Sequence, residues 1–332
     1  MKLTIISGRE VDELLDNTEG VMGLINAVAA AFRDYSSGLI KMPQRTVIYL
    51  DSDWWGVMPC GTRNAGFSVK IVNVIEGNKA RGLPTTQGIV VLMDDVTGQP
   101  LAVINGTALT AWRTAAATAV SIKYMAQSMD NLAIIGAGLQ ARYHLMVLSR
   151  AFPIKRLFIY SRTRERALEL AKLAQGRGID VVVVESGYDA VKQADVAIAV
   201  TTSREPVIHG LWLHRGMHIV SIGAPEVNAR ELDDEVIRKV SVIAVDSRTA
   251  VMNETGDIII PMKNGLITEK DLIEIGEIIG GMRKGRSGDN DITLFKSVGI
   301  AAEDLAAATY IYNLARRKKY GCHFRAIISY YI

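Results

Sequence analysis

The chain has 332 residues, 49% of them hydrophobic and 22% charged, which is typical of a globular protein and unlike a disordered one. Its 38 basic residues are nearly matched by 35 acidic ones, so the net charge of +3 gives no reason to propose a nucleic-acid or membrane partner. Cys60 and Cys322 have no zinc-like spacing, and we predict no metal site. Without a signal-peptide pattern or an apolar run of about 18 residues, the sequence predicts a cytoplasmic protein.

The first third of the chain has the pattern of a sheet flanked by helices. A strand is predicted over residues 2–6, and apolar side chains recur at helical spacing between Val21 and Tyr35. Between residues 45 and 105, turn-forming segments separate four β-rich runs: RTVIYL, GFSVKIVNV, GIVVLMD and PLAVIN. Successive strands of this kind predict an antiparallel or mixed sheet. The Ala-rich stretch from Thr110 to Met125 predicts a buried, closely packed helix.

From NLAIIGAG onward, short Val/Ile-rich runs alternate with helical segments, a pattern typical of βαβ units around a parallel sheet. A final helix is predicted from Leu294 to Arg317. The predicted fold class is α/β: a Rossmann-type, doubly wound parallel sheet domain together with an α+β substrate-binding and dimerisation domain. We place the Rossmann dinucleotide-binding domain at 121–299 and the substrate-binding and dimerisation domain at 1–120 and 300–332.

The strongest single motif is a glycine-rich turn between a predicted strand and a predicted helix. Gly136 permits a tight turn, Gly138 lets the backbone approach a pyrophosphate, and the small Ala141 lets helix and strand pack closely. The amino terminus of the helix supplies N–H groups to the phosphates. This context predicts a dinucleotide site.

The end of the next strand indicates which dinucleotide binds. NAD-binding proteins usually have a carboxylate there for the adenosine ribose, whereas this chain has Ser161, Arg162, Thr163 and Arg164. Arginine and hydroxyl side chains suit a 2′-phosphate. We therefore predict NADP (NADPH) as the preferred cofactor, with NAD as the alternative.

Three cations occupy positions where apolar residues are expected. Lys70 lies inside the strand run GFSVKIVNV, Arg113 interrupts the Ala-rich helix, and Arg45 follows a turn. A buried cation without a partner is costly, so each of them should either pair with an acid or contact an anionic ligand.

Several blocks along the chain resemble the ornithine cyclodeaminase/mu-crystallin family. They include VKIVNV at 69–74, GLPTTQG at 82–88, DDVTGQPLAVINGTALTAWRTAAATA at 94–119, IIGAGLQARYHL at 134–145 and TLFKSVGIAAEDLAAA at 293–308. The blocks are collinear and span nearly the whole chain. The block around LTAWRTAA and the block FKSVGIAAEDLAAA are specific to that family.

The resemblance implies a homodimer whose N-terminal sheet domain, completed by the C-terminal helix, provides the interface and the substrate pocket. It assigns Arg45 and Lys70 to the substrate carboxylate and to catalysis, and it places Arg113 beside both the pyrophosphate and the substrate. Val298 is counted with the substrate contacts. The remaining residues expected to contact the cofactor are Thr85, Thr114, Leu139, Gln140, Thr202, Ile222, Gly223 and Ser297.

One departure from the family pattern concerns the reaction. Family members that cyclise ornithine have an aspartate at the position of Pro225, and Glu226 is one residue away from it. We therefore predict an NADPH-dependent reductase of imino acids, acting on a cyclic ketimine or on the imine of pyruvate as alanine dehydrogenases do. The alternatives are an NAD-dependent ornithine cyclodeaminase and an NADPH-dependent small-ligand-binding protein of the mu-crystallin type.

Overall fold

The computed structural model describes residues 2–63, 65–223 and 226–325. In these residues the strands are β1 (Lys2–Ile6), β2 (Thr46–Leu50), β3 (Asp53–Thr62), β4 (Gly66–Val74), β5 (Thr86–Met93), β6 (Pro100–Asn105), β7 (Asn131–Ile135), β8 (Arg156–Tyr160), β9 (Asp180–Val183), β10 (Val196–Ala199), β11 (His218–Ser221), β12 (Val242–Val245), β13 (Leu272–Glu274), β14 (Thr293–Lys296) and β15 (Cys322–Arg325).

The α-helices of the same residues are α1 (Gly8–Leu15), α2 (Thr18–Ser36), α3 (Gly106–Met125), α4 (Leu139–Ala151), α5 (Arg164–Gln175), α6 (Gly187–Val191), α7 (Asp234–Lys239), α8 (Arg248–Glu254), α9 (Gly256–Lys263), α10 (Ile275–Ile279) and α11 (Ala301–Lys318). Short 3-10 turns cover Glu76–Arg81, Gly210–Trp212 and Glu269–Asp271. No helix of the described residues is long and apolar enough to cross a membrane.

The chain divides into two compact units. Among the described residues, the first comprises those up to Arg113 together with 300–325, and the second comprises those between Thr114 and Gly299. The division does not test the predicted domain boundaries or the functions assigned to the domains, which stay predictions.

The first unit is built on a sheet with the strand order β15-β1-β6-β5-β4-β3-β2. Strands β1 and β6 are parallel and the other neighbours are antiparallel, so the expected mixed sheet is confirmed. Helix α11 packs on β3, β4 and β5 and also against α2. In β4 the alternate residues Ser68, Lys70 and Val72 are buried, because successive side chains of a strand point to opposite faces.

The second unit is built on a parallel sheet with the strand order β13-β12-β14-β11-β10-β7-β8-β9. The chain runs outward from β7 through β8 and β9 and then returns to place β10 on the other side of β7. Side chains of the central strands form a continuous apolar core. The predicted fold class, a doubly wound Rossmann-type sheet with a second α+β part, is confirmed.

Two stretches differ from the prediction. Leu294 to Lys296 was expected to begin the final helix, but this segment is strand β14, paired on both sides with β11 and β12. The helix begins at Ala301. Strand β3 was not predicted, because its sequence DWWGVMPCGT lacks a clear alternation of apolar and polar residues. It forms between β2 and β4, which pair with it along its length.

Candidate functional site

Lys70 is a buried lysine on the face of β4 that packs against α11. Only 2% of its side chain is exposed, and its Nζ lies 2.7 Å from Oδ2 of Asp304. Burial is the main cause that lowers the pKa of Lys70 to about 8. The Asp304 carboxylate opposes that shift, whereas the charges of Arg113 and Arg45 add to it.

Arg113 lies on α3 and is also buried. Its Nε lies 3.0 Å from Oδ1 of Asp304, and its Nη1 lies 3.0 Å from Oε2 of Glu303. Burial alone would lower the pKa of Arg113, but the two carboxylates outweigh it and raise that pKa above its ordinary value. Arg113 therefore stays charged, and both of its acidic partners come from the first turn of α11.

Asp304 bridges the two cations and is fully buried, as is Glu303. Burial would raise the pKa of Asp304, but the ion pairs with Lys70 and Arg113 lower it overall. Sequence reasoning predicts that each of these cations pairs with an acid or contacts an anionic ligand, and it names no particular acid. A signal was present: two adjacent acids begin an Ala-rich helix and have alanine, with no basic residue, four positions later.

The other predicted residues of the first unit are Arg45 and Thr85. Arg45 directly precedes β2 and is half-buried, and its charge contributes to the low pKa of Lys70. The structure thus brings the three predicted cations into one neighbourhood. Thr85 directly precedes β5, and its carbonyl oxygen accepts a hydrogen bond of 2.8 Å from the backbone N–H of Ile75.

The glycine-rich turn lies in the second unit, where β7 leads into α4. Gly136 has a φ of +108°, and a Cβ atom there would come within 2.8 Å of the carbonyl oxygen of Val200, so only glycine suits this position. Gly138 is the N-cap of α4 and provides no side-chain cap. A Cβ at Gly138 would meet nothing within 4 Å. The N–H groups of the first turn of α4 are therefore accessible to a phosphate.

The surroundings of this turn fit a dinucleotide. A cavity of about 330 Å³ is lined by Gly138, Leu139 and Arg142 on one side and by residues of α5, among them Arg166, on the other. Leu139 is 52% exposed. The Oε1 atom of Gln140 is buried without a hydrogen-bond partner in the described part of the chain, and a polar ligand could supply one.

The segment after β8 is exposed to solvent. Ser161 accepts a hydrogen bond of 3.3 Å from the backbone N–H of Thr163, and Arg164 forms an ion pair with Glu185. Arg162 has no ion pair within the described residues. These contacts leave room for a phosphate beside Arg162 but do not decide between NADP and NAD.

The remaining predicted cofactor contacts are divided between helix α3 and the ends of three strands. Thr114 is buried on α3, Thr202 is exposed after β10, and Ile222 and Gly223 follow β11. Ser297 and Val298 follow β14, where Asp246 accepts hydrogen bonds of 2.8 Å from the hydroxyl of Ser297 and the backbone N–H of Val298. β10, β11 and β14 are neighbours, so the structure brings their following segments to the same edge of the sheet.

Two histidines of the second unit are fully buried. His144 Nδ1 lies 2.8 Å from the carbonyl oxygen of Gln140, which can only accept, so Nδ1 carries the proton and Nε2 accepts from Thr118 Oγ1 at 2.9 Å. Burial lowers the pKa of His144 to about 4 and that of His218 to about 3. Within residues 2–63, 65–223 and 226–325, no group of three His, Cys, Asp or Glu side chains could hold a metal ion.

The position that distinguishes the ornithine-cyclising proteins, Pro225, lies outside the described residues. Its neighbour Glu226 is exposed and lies 3.0 Å from Nη2 of Arg204. The carboxylate that could replace the missing aspartate therefore already has a cationic partner.

Comparisons with known proteins cover almost the entire chain. A family model described as "Ornithine cyclodeaminase/mu-crystallin family" matches residues 9–319. The chain is 36% identical over 313 residues to the ketimine reductase mu-crystallin of Mus musculus, across 93% of this chain and 96% of that protein.

Two solved structures are similar along the same length. Delta(1)-pyrroline-2-carboxylate reductase of Thermococcus litoralis, in complex with NADH and L-proline, has a TM-score of 0.90 and 38% identity, covering 96% of this chain and 99% of that one. An archaeal alanine dehydrogenase dimer with bound NAD has a TM-score of 0.90 and 33% identity, covering 98% and 99%.

Proposed function

Because the chain belongs to the ornithine cyclodeaminase/mu-crystallin family, we propose that it reduces an imino acid to an L-amino acid by hydride transfer from NADPH. The relatives are reductases of imino acids and an amino-acid dehydrogenase, which confirms the predicted class: an NAD(P)H-dependent oxidoreductase acting on a CH–NH or CH–NH2 group. The candidate substrates are cyclic ketimines, namely pyrroline-2-carboxylate and piperideine-2-carboxylate, and the imine of pyruvate.

The observation that carries this proposal is the open cluster, by which we mean Lys70, Arg113, Glu303 and Asp304. An ammonium group has three hydrogens, and apart from Asp304 the Nζ of Lys70 has no partner in the part of the chain that is described. Donors therefore remain for a substrate carboxylate, which would gain charge-assisted hydrogen bonds from Lys70 and Arg45. Such bonds fix the orientation of the carbon that accepts the hydride.

The same lysine suits the proton that imine reduction requires. Hydride adds to the carbon, and the nitrogen must carry a proton to accept the electron pair of the C=N bond. A lysine at its ordinary pKa gives up its proton poorly near neutral pH, whereas a pKa of about 8 matches the task. We propose that Lys70 supplies or relays this proton while Arg113, held by Glu303, remains charged.

The cofactor proposal combines the glycine-rich turn with the segment after β8. The turn at Gly136 and Gly138 and the first turn of α4 would hold the pyrophosphate, and Arg162 with Arg164 would hold a 2′-phosphate. When bound, the dinucleotide supplies the hydride. We propose NADPH as the preferred donor because of these two arginines. NADH is the alternative, because both the reductase and the dehydrogenase cited above were solved with NADH or NAD.

We also propose a homodimer formed through the outer face of the first unit's sheet. This face points away from α11 and carries Ile48, Phe67, Ile71 and Ile89, each at least 40% exposed. Ile71 is paired with Ile89 on the neighbouring strand, so these two apolar side chains are adjacent. Exposed apolar areas of this kind mark interaction surfaces, and the archaeal alanine dehydrogenase is a dimer. Light scattering in solution tests this; a monomer at every concentration would contradict it.

The test of the reaction is oxidation of NADPH by the purified protein, followed by the absorbance of the reduced nicotinamide. One arm contains pyruvate with ammonia, and a second contains each cyclic ketimine. Loss of absorbance in either arm supports the reductase and identifies the substrate branch. A third arm contains ornithine with NAD. Release of ammonia from ornithine without net consumption of the cofactor would replace the proposal with cyclodeamination. No reaction in any of the three arms would refute the proposed reductase.

A further inference from the structure

The second unit contains a buried polar cluster that the proposed reaction does not use. It consists of Ser221, Glu231, Asp257 and Lys296, and the side chains of all four are fully buried. We call it the closed cluster. Buried charges without a ligand or a reaction to serve are expensive, so their arrangement calls for an explanation.

Glu231 joins two segments of backbone. Its Oε1 accepts hydrogen bonds from the backbone N–H of Thr201 at 2.7 Å and from the Thr201 hydroxyl at 2.8 Å. Its Oε2 accepts from the backbone N–H of Gly223 and from the hydroxyl of Ser221, both at 2.8 Å. One carboxyl group therefore ties the segment after β10 to the segment after β11.

Asp257 binds the backbone of Glu231, and Lys296 binds Asp257 and the same segment after β11 that Glu231 binds. Lys296 Nζ lies 2.8 Å from Asp257 Oδ2 and donates to Ser221 Oγ at 3.0 Å and to the carbonyl oxygen of Gly223 at 2.6 Å. All three of its hydrogens are thus used. Asp257 Oδ1 in turn accepts from the backbone N–H groups of Glu231 and Leu232, both at 2.9 Å.

The two tied segments touch each other. A Cβ atom on Gly223 would come within 2.1 Å of the carbonyl oxygen of Thr201 and 2.5 Å of Glu231 Oε1, so the contact requires glycine. Burial raises the pKa of Glu231, and the neighbouring Asp257 raises it too, while Lys296 opposes them. The pKa of Glu231 therefore depends on both of these charged neighbours.

The location of these segments connects them with the dinucleotide. In doubly wound sheets, ligands bind outside the carboxyl ends of the strands where the strand order reverses, which here is between β7 and β10. The glycine-rich turn follows β7, and the adenosine ribose is recognised after β8. The nicotinamide half must extend the other way, over the ends of β10 and β11.

We propose that Glu231 is a positioning residue that braces the wall of the crevice receiving the nicotinamide half of the dinucleotide. It acts through Thr201 and Gly223 and touches neither substrate nor cofactor. The proposal rests on the dinucleotide binding proposed above.

The test compares binding of NADPH and NADH with binding of the matching ADP-ribose fragments that lack nicotinamide, by calorimetry on the full chain. In Glu231→Gln the amide NH2 must face either the N–H of Thr201 or that of Gly223, so one brace is lost. We expect the dinucleotide Kd to rise about tenfold, as for loss of a buried hydrogen bond to a charged group, and the fragment Kd to stay unchanged.

The matched control is Asp195→Asn. Asp195 also accepts from backbone and hydroxyl groups, the N–H of Asn131 at 2.8 Å and Ser128 Oγ at 3.1 Å, but at the amino ends of β7 and β10. Neither Kd should change in this variant. If Glu231→Gln does not fold, Thr201→Val is the second variant. It removes the hydroxyl bond to Glu231 and the bond of 3.1 Å that the hydroxyl accepts from the backbone N–H of Ser203, but it keeps the backbone bond to Glu231. The dinucleotide Kd should then rise by about threefold.

The outcomes separate the two proposals. A wild-type chain that binds neither dinucleotides nor fragments refutes the proposed function. A wild-type chain that binds them, together with a Glu231→Gln variant that binds both equally well or weakens both equally, refutes the positioning role alone. If the foldable Thr201→Val variant is the one used, an unchanged dinucleotide Kd refutes that role in the same way.

Discussion

The open cluster of the first unit and the closed cluster of the second both contain a buried lysine and two buried acids. They differ in whether the hydrogens of the lysine all have partners within the described residues. In the open cluster two cations face two acids, and not all hydrogens of the Lys70 ammonium have a partner among the described residues. In the closed cluster one cation faces two acids, and each hydrogen of Lys296 has a protein partner. A buried network with spare donors can bind an anionic ligand, whereas a saturated one can only hold its own backbone in place.

The largest effect is expected when the open cluster loses its spare donors. Lys70→Met should lower kcat/KM by at least about a hundredfold, because general acid catalysis contributes on that scale. The dinucleotide Kd should not change, which is the reverse of the result expected for Glu231→Gln. Steady-state kinetics and calorimetry measure the two quantities. Lys155→Met, which removes an exposed lysine paired with Asp130, is the control. If Lys70→Met weakened the dinucleotide as much as turnover, the two clusters would not divide the work in this way.

The second largest effect is expected on stability. It should follow replacement of Asp304, the acid that bridges Lys70 and Arg113 in the open cluster. Asp304→Asn leaves Lys70 and Arg113 short of one negative charge and should lower the free energy of unfolding by about 3–5 kcal/mol, the cost of breaking a buried pair. Asp180→Asn breaks the exposed pair with Arg156 and should cost less than about 1 kcal/mol. Urea unfolding measures both. Equal losses would mean that burial does not strengthen the open cluster.

The buried histidines His144 and His218 provide a third case for the comparison. Their ring nitrogens form hydrogen bonds to protein groups, and among the described residues neither ring takes part in an ion pair. The unfolded chain binds a proton at each histidine near the ordinary pKa of 6.5, but the folded chain does so only near 4 for His144 and 3 for His218. The unfolded state therefore binds more protons in this window. Stability should be complete above about pH 6.5 and fall below it, by up to about 1.4 kcal/mol per pH unit for each histidine.

Unfolding by urea at a series of pH values checks this dependence. His144→Gln keeps one donor and one acceptor and should flatten the curve. The exposed His214 provides the control, since His214→Gln should leave the slope as it is. A wild-type stability that is constant between pH 4 and pH 6.5 would contradict the lowered pKa values.

The smallest effect is expected at the exposed pair of Arg164 and Glu185 after β8 and β9. Glu185→Gln removes the carboxylate that competes with a 2′-phosphate for Arg164. The ratio of the NADPH to the NADH affinity should rise by about threefold, a modest change because exposed ion pairs are weak. Parallel titrations with the two cofactors measure it. A ratio that falls would place the 2′-phosphate away from Arg164.

Local patterns predicted much of the fold because they reflect short-range chemistry. β4 covers the whole run GFSVKIVNV, and the glycine-rich turn leads directly into helix α4, as predicted. β14 was mistaken for helix because its pairing with β11 and β12 and the burial of Lys296 against Asp257 depend on distant residues. A few apolar residues beside a strong helix do not reveal such partners.

The residues of the candidate site also differ in how well the sequence predicts them. Lys70 and Arg113 stand out locally, since charges interrupt otherwise apolar or small-residue segments. Their acids, two adjacent carboxylates at the start of an Ala-rich helix, carry a local signal, but the sequence does not assign them to these cations. Asp304 comes 191 residues after Arg113, and only the folded sheet brings α11 over β4. Glu231 gave no sequence signal that we recognised. Its importance lies in the four hydrogen bonds it accepts, two from backbone groups whose position depends on the sheet.

The discontinuity of the first unit has a consequence for biosynthesis. A ribosome produces Lys70 and Arg113 long before the helix that neutralises them, and the entire second unit is made in between. The second unit can fold as soon as it emerges, since domains generally fold as units during synthesis. The first must wait, with two positive charges that cannot be buried until α11 arrives. A nascent chain stalled before Ile300 should therefore expose the sheet surface around Lys70, which makes that surface a natural target for chaperones.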